Sequence, residues 1–243
     1  MNSIQRYHRQ HLILDADDTL WENNIYFERA FEDFVRFLDH EHLTSSEIQV
    51  ILDELEIANR ATHGYGARAF ARSLRDTFQR IVGVPDNHPD LDTAEQLGLR
   101  ILEDPFDLME GVASTLYALH GHHRLYLLTK GHDVEQRPKI ERSGLEDRFD
   151  AVIITPEKTP ETYQNTVDSL GIDPSETWMI GNSPRSDINP ALAAGLNAVY
   201  IPHPRTWHLE VKQLATPPTT DRRLLQLERF SLLLNVFVPT YGK

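Results

Sequence analysis

Leu12-Ile13-Leu14-Asp15-Ala16-Asp17-Asp18-Thr19-Leu20 is the stretch from which the fold can be read. Three aliphatic residues in a row are followed at once by three carboxylates within four positions and then a hydroxyl. A short run that is apolar throughout, rather than alternating, suits a strand covered on both faces. The same texture returns at residues 125–128, 151–154, 177–180 and 198–201. Between these later runs lie helical patterns, over residues 109–121, 134–144, 160–171 and 190–195. Each closes on a glycine able to take the left-handed conformation just past a helix end. Thr159-Pro160 and Asn189-Pro190 read as N-caps followed by proline in the first turn. Strand and helix in alternation with short connections imply parallel strands joined by right-handed crossovers. The expected fold class is α/β, a Rossmann-like open parallel sheet.

The first apolar run is not followed by a second strand. Helical patterns at residues 25–40, 45–60, 67–82 and 92–102 come instead, the second opened by the capping-box sequence Thr44-Ser45-Ser46-Glu47. The simplest division is a core of residues 1–20 and 106–243, with the sheet resuming near Leu108, and an inserted all-helical cap of residues 21–105. Past Pro204 the pattern is weaker; Pro217-Pro218 interrupts it before a last apolar helix expected over residues 221–234.

Composition narrows the function. The 243 residues carry 24 Lys+Arg against 37 Asp+Glu, a formal charge of −13. Nucleic acid and anionic membranes both need a basic surface, so neither is an expected partner. With no cysteine there is no disulfide, thiolate nucleophile or iron–sulfur ligand. No apolar run has the length of a membrane span, and residues 1–11 lack the apolar segment of a signal peptide, so a cytoplasmic protein is expected. Its assembly is expected to be a monomer or a small homo-oligomer.

In open α/β sheets ligands gather at the carboxyl ends of the strands. Those ends read Asp15-Ala16-Asp17-Asp18-Thr19, Thr129-Lys130-Gly131, Thr155-Pro156-Glu157-Lys158 and Gly181-Asn182-Ser183-Pro184-Arg185-Ser186-Asp187. One edge thus collects several carboxylates, a hydroxyl and a lysine. Carboxylates within ~4 Å of one another repel by several kcal/mol even at an effective dielectric near 20, so they need a cation or a proton. Oxygen ligands without Cys or convergent His favour a hard cation, Mg²⁺ first. A cation, a lysine, a hydroxyl and the helix N-terminus at Thr159-Pro160 describe a cradle for a phosphoryl group, in which a carboxylate can be the nucleophile.

Asp15-Ala16-Asp17-Asp18-Thr19-Leu20, Thr129, Lys158 and the Gly181…Asp187 loop, in that order, resemble the four motifs of the haloacid dehalogenase superfamily. The likeness covers roughly residues 10–20 and 105–205, and the insertion between the first two motifs is similar to that family's helical cap. It implies that Asp15 attacks phosphorus to form an aspartyl-phosphate, and that Asp17 protonates the leaving oxygen and then deprotonates the attacking water. It also implies that Thr129 binds a phosphoryl oxygen and Lys158 neutralises charge. Mg²⁺ would be held by Asp15, the backbone carbonyl of Asp17, and Asn182 and Asp187 of the fourth motif. Phosphatases of this kind usually have Asp where this chain has Asn182, which removes a charge from the metal site.

Lys130 is a rival cation beside Thr129, expected to face solvent or to offer its backbone N–H to the substrate. Arg60, His63 and Arg68, with Tyr65 and Arg72, form the most polar-aromatic stretch of the cap; they read either as a leaving-group pocket or as a solvated helix face. Gly64-Tyr65-Gly66-Ala67-Arg68-Ala69 fits a dinucleotide-binding pattern but follows a helix, so it reads as a turn. His120, His122 and His123 read as a solvated helix end, and His203 with His208 as part of a loop over the sheet.

The expected activity is Mg²⁺-dependent hydrolysis of a small phosphomonoester. Haloacid dehalogenation is the first alternative, disfavoured because those relatives lack the second carboxylate, here Asp17. Phosphonoacetaldehyde hydrolysis would need a cap lysine, and residues 21–105 contain none. A phosphomutase and a non-catalytic binding protein on the same scaffold remain open.

Overall fold

The computed structural model describes residue 7, residues 9–39 and residues 41–238. Most of residues 1–11, His40 at the end of the first cap pattern, and residues 239–243 lie outside the described part. The chain forms two compact units, one of residues 1–22, 106–130 and 136–243, the other of residues 23–105 and 131–135.

The first unit is built on six parallel strands: β1 (His11–Leu14), β2 (Arg124–Lys130), β3 (Ala151–Thr155), β4 (Thr177–Gly181), β5 (Asn197–Tyr200) and β6 (Leu224–Gln226). Their order is β3-β2-β1-β4-β5-β6. Leu14 sits opposite Leu127 on one side and Ile180 on the other. Successive residues of β1 point to opposite faces, and both faces are dry. Leu12 and Leu14 join Leu125, Leu127, Trp178 and Ile180 in one core, whereas Ile13 joins Tyr126, Leu128 and Met179 in another. The first core is closed by α5 (Val112–His120) and α9 (Leu233–Phe237), the second by α7 (Pro160–Leu170) through Tyr163 and Val167. This two-sided burial is why the strand sequences do not alternate. Two further helices, α6 (Asp133–Ser143) and α8 (Asn189–Ala193), complete the crossovers. Before β2, Leu108 forms only an isolated antiparallel bridge with Trp21.

Three expectations are corrected in this unit. Residues 221–234 are not one helix: they hold β6 and a single 3₁₀ turn before α9. The Asn189 side chain is no N-cap; it donates to the Gln213 carbonyl and accepts from the Ala215 N–H, while Ser183 caps the preceding π-helical turn Pro184–Ile188. His123 is buried, accepting the Gln10 N–H at its Nδ1 and facing the Phe237 carbonyl through Nε2, so the histidine cluster is not wholly solvated.

The second unit is helical: α1 (Asn24–Leu38), α2 (Ser45–His63), α3 (Ala67–Val82) and α4 (Pro89–Leu99). The capping box at Thr44 and Glu47 is formed. Phe34, Leu52, Phe70, Leu74, Phe78 and Leu91 make its core. Residues 131–135 pack onto the turn between α2 and α3. His132 Nε2 meets the His63 carbonyl at 3.0 Å, and Glu135 accepts the Ala67 and Arg68 N–H groups at 2.8 and 3.2 Å, capping α3. Gly66 makes this possible: its φ is +112°, and a Cβ there would lie 2.2 Å from Glu135 Oε2. The Gly-Tyr-Gly sequence is therefore a capped turn. Among the described residues, no helix is long and apolar enough to cross a membrane.

Candidate active site

The order β3-β2-β1-β4 places β1 and β4 side by side where the connections diverge, the crevice in which open α/β sheets bind ligands. Asp15 extends β1 by one residue, its N–H donating to the Ile180 carbonyl at 2.9 Å. The chain then reverses: Asp18 takes a left-handed φ of +59°, which aspartate tolerates better than most residues, and the Leu20 N–H returns to the Ala16 carbonyl at 2.8 Å. This brings Thr19 back over Asp15. The Thr19 hydroxyl lies 2.8 Å from Asp15 Oδ2 and 3.2 Å from Asn182 Oδ1, so two oxygens from adjacent strand ends converge on one hydrogen.

Lys158, on the loop between β3 and α7, reaches the same point. Its ammonium donates to Asp15 Oδ1 at 2.6 Å and to Asp187 Oδ1 at 2.8 Å, and all three side chains are buried. The second Asp187 oxygen accepts the Ser183 N–H at 2.9 Å. Gly181 leaves room for that carboxylate, since a Cβ there would meet Asp187 Oδ2 at 2.3 Å. Two carboxylates and one ammonium leave a buried charge of about −1. Burial first, then the Asp15 charge, pushes the Asp187 carboxyl up to about 7, with Lys158 opposing. Burial works against the Lys158 charge, but Asp15 and Asp187 outweigh it and hold the ammonium above the ordinary lysine range.

Thr129, at the end of β2, is 1% exposed, and its Oγ1 is buried with no hydrogen-bond partner among the described residues. Such a group is destabilising unless something else bonds it.

Asp17 keeps different company. Its carboxylate accepts from Trp21 Nε1 at 2.7 Å, Gln136 Nε2 at 2.9 Å and Lys139 Nζ at 2.8 and 3.0 Å. Burial would raise its pKa, but the Lys139 charge and these hydrogen bonds bring it below the usual carboxylate range. Lys130 does not face solvent: its ammonium donates to Glu210 Oε1 at 2.7 Å and Ser186 Oγ at 3.0 Å. Three of the five lysines in the chain, Lys130, Lys139 and Lys158, thus each pair with a carboxylate at this edge.

Asp15, Lys158, Asn182 and Asp187 form one hydrogen-bonded group, whereas Asp17 belongs to a second. Arg60, His63 and Arg68 lie in the helical unit. There the Arg60 guanidinium sits 5.0 Å from the Tyr65 ring centre, and Arg68 Nε is 3.6 Å from Glu135 Oε1. Gln136, Lys139, Thr206 and Glu210 were not legible as site residues. The rarity of lysine could have singled out Lys139; nothing in the sequence marks Glu210.

The donors suit a hard cation. Asp15 Oδ2 and Asn182 Oδ1 point at a common hydroxyl, every side-chain donor is oxygen, and the buried charge is negative. Asp18, Glu22 and His203 also bring ligand atoms within 4.8 Å of one another. However, the ring turns Nδ1 to Asp18 at 3.8 Å and Nε2 to Glu22 at 3.5 Å. Each carboxylate faces a different ring nitrogen, whereas a single metal ion would take one nitrogen together with both carboxylates.

A protein-family model described as a haloacid dehalogenase-like hydrolase matches residues 10–195. An N-acylneuraminate-9-phosphatase of Rattus norvegicus is 26% identical over 197 residues, 77% of this chain and 79% of that protein. A pyrimidine 5′-nucleotidase of Escherichia coli is 28% identical over 127 residues, 50% of this chain and 55% of that protein. Among solved structures, a haloacid dehalogenase-like family hydrolase from Xanthomonas campestris superposes with a TM-score of 0.75 at 30% identity, covering 88% of this chain and 89% of that one.

Proposed function

This chain belongs to the haloacid dehalogenase-like hydrolase family, and on that footing we propose that it is a Mg²⁺-dependent phosphatase of a small phosphorylated metabolite. The observation that carries the reading is the buried Asp15–Lys158–Asp187 cluster at the sheet's switch point, with the Thr129 hydroxyl unpartnered on the neighbouring strand.

In this reading an Asp15 carboxylate oxygen attacks phosphorus. The new bond makes an aspartyl-phosphate as the bond to the leaving oxygen breaks, and Asp17 gives that oxygen its proton. Water then attacks phosphorus, Asp17 takes its proton, and the carboxylate of Asp15 is released with inorganic phosphate. Lys158 holds Asp15 in place and offsets phosphoryl charge, and the Thr129 hydroxyl donates to a phosphoryl oxygen. Asp15, the backbone carbonyl of Asp17, Asn182 and Asp187 would hold Mg²⁺, whose contribution is to neutralise the anionic oxygens of the transferring group. Asp17 favours phosphoryl transfer over dehalogenation, which has no leaving alkoxide to protonate. Two relatives named as phosphomonoester hydrolases support the same choice. Residues 23–105, with Arg60, His63 and Arg68, are proposed to act as the cap that selects the leaving group.

The test is phosphate release from p-nitrophenyl phosphate and from a panel of sugar phosphates, nucleoside monophosphates and phosphoglycolate, with Mg²⁺ and no bisphosphate activator. Turnover that disappears in Asp15→Asn is expected. No turnover on any member of the panel, with Asp15→Asn indistinguishable from the parent, would instead favour a binding protein.

A further inference from the structure

We propose that Glu210 is a positioning residue for the fourth-motif turn, and that it acts on metal binding through Ser183, Ser186 and Lys130. The inference rests on the metal site assigned above. It concerns a residue beyond the 10–195 stretch that the family model matches, in the segment that follows β5.

Glu210 is 7% exposed, and a carboxylate this deep in the protein has to be fully bonded. Its Oε1 takes the Lys130 ammonium at 2.7 Å and lies 3.7 Å from Arg185 Nη1. Its Oε2 accepts the hydroxyls of Ser183, at 2.6 Å, and Ser186. Those hydroxyls belong to the turn that delivers Asp187. With its proton committed to Glu210, the Ser183 oxygen is left to accept the Ser186 N–H at 2.9 Å, and the Ser183 N–H goes to Asp187 Oδ2 at 2.9 Å. The second oxygen of Asp187 then meets Lys158. Glu210 is therefore linked to Asp187 through Ser183, whose hydroxyl donates to one carboxylate and whose backbone N–H donates to the other, while Ser183 also caps the Pro184–Ile188 turn.

The same segment holds Asn182, whose Nδ2 donates to Thr206 Oγ1 at 3.1 Å, so that its Oδ1 is the atom turned toward Asp15 and Thr19. Both fourth-motif residues proposed as ligands are thus oriented by side chains from residues 206–210. Lys130 completes the balance: beside Thr129 it could have put a positive charge into a phosphate and metal site, and Glu210 draws that charge onto the back of the turn instead.

The test is a Mn²⁺ titration of the full chain, read by the electron paramagnetic resonance of free Mn²⁺, on the parent, Glu210→Gln, Glu210→Asp and Ser186→Ala, each with a thermal unfolding curve. Outer groups that orient metal ligands are worth about tenfold or more in affinity, so Glu210→Gln is expected to bind Mn²⁺ about tenfold more weakly. Ser186→Ala, which loses one of the two hydroxyls that Glu210 accepts, is expected to bind about threefold more weakly, and Glu210→Asp to recover most of the loss by keeping the charge. A packing role alone would lower the unfolding temperature and leave the Mn²⁺ affinity of the folded protein unchanged. That result in Glu210→Gln, or in Ser186→Ala if the first variant does not fold, overturns the proposal. A parent that binds Mn²⁺ but releases no phosphate would refute the phosphatase reading and leave this proposal to be judged by the titration.

Discussion

Thr129→Val separates stability from function. The side chain is 1% exposed and its hydroxyl has no hydrogen-bond partner among the described residues, so the folded state carries a desolvated polar group of about 1–3 kcal/mol. Valine has nearly the same shape, suits a strand, and puts a methyl group where the hydroxyl was. Thr129 itself pairs with Ile154 of β3, but through backbone groups that valine keeps. The unfolding temperature is therefore expected to hold or rise. If the hydroxyl donates to a phosphoryl oxygen, the variant loses a hydrogen bond to a charged group, about 1.5–3 kcal/mol, and kcat/KM falls by roughly tenfold to a hundredfold. Thr129→Ser keeps the donor and is expected to stay within about threefold of the parent. Differential scanning fluorimetry with steady-state phosphate release measures both quantities on the same samples. A variant that is less stable but equally active would refute the reasoning, because the hydroxyl would then be structural.

Three further expectations can be checked with the same material. Lys158→Met leaves Asp15 and Asp187 buried without their cation and is expected to lose about 3–5 kcal/mol in urea unfolding without added metal. Because the Asp187 carboxyl sits near 7 in the folded protein against 3.8 ordinarily, the folded state binds the extra proton between those values. Its contribution to metal-free stability should fall as pH rises through that window, and in the variant, where Lys158 no longer opposes the shift, the fall should continue to higher pH; a parent and variant whose fall ends at the same pH would count against the assignment. Asn182→Asp restores a ligand charge and is expected to lower the half-activating Mg²⁺ concentration about tenfold, an unchanged value contradicting the proposed metal site. Lys139→Met removes the charge that keeps Asp17 below the usual range, so the basic limb of the kcat/KM profile, set by the acid that must hold its proton for the leaving oxygen, should move to higher pH; an unmoved limb would show that Asp17 is not the titrating group.

What was legible in the sequence followed from burial. The strand runs stood out because both faces of the sheet are covered, and Asp15, Lys158 and Asp187 stood out because each ends a strand or follows one closely. β6 was missed because Leu224-Leu225-Gln226 is too short for a period and runs into a genuine helix at Leu233–Phe237. Asn189 was misread because proline after asparagine is also what a turn already under way can contain. Lys130 was expected to face solvent since its partner, Glu210, lies 80 residues away in sequence. Pairings of that range leave no local trace. Asp17 was legible as a residue but not in its surroundings, for Lys139 and Gln136 reach it from 122 and 119 positions further along.

The short stretch 131–135 has a practical bearing on engineering. The backbone passes between the two compact units four times, not twice, and the second excursion begins two residues after Thr129. Grafting another family member's helical module at 22/23 and 105/106 alone would strand Glu135 without the α3 N-terminus it caps, and His132 without its carbonyl. A working chimera has to transplant this pentapeptide together with the Gly64–Gly66 turn it grips, as one discontinuous cassette.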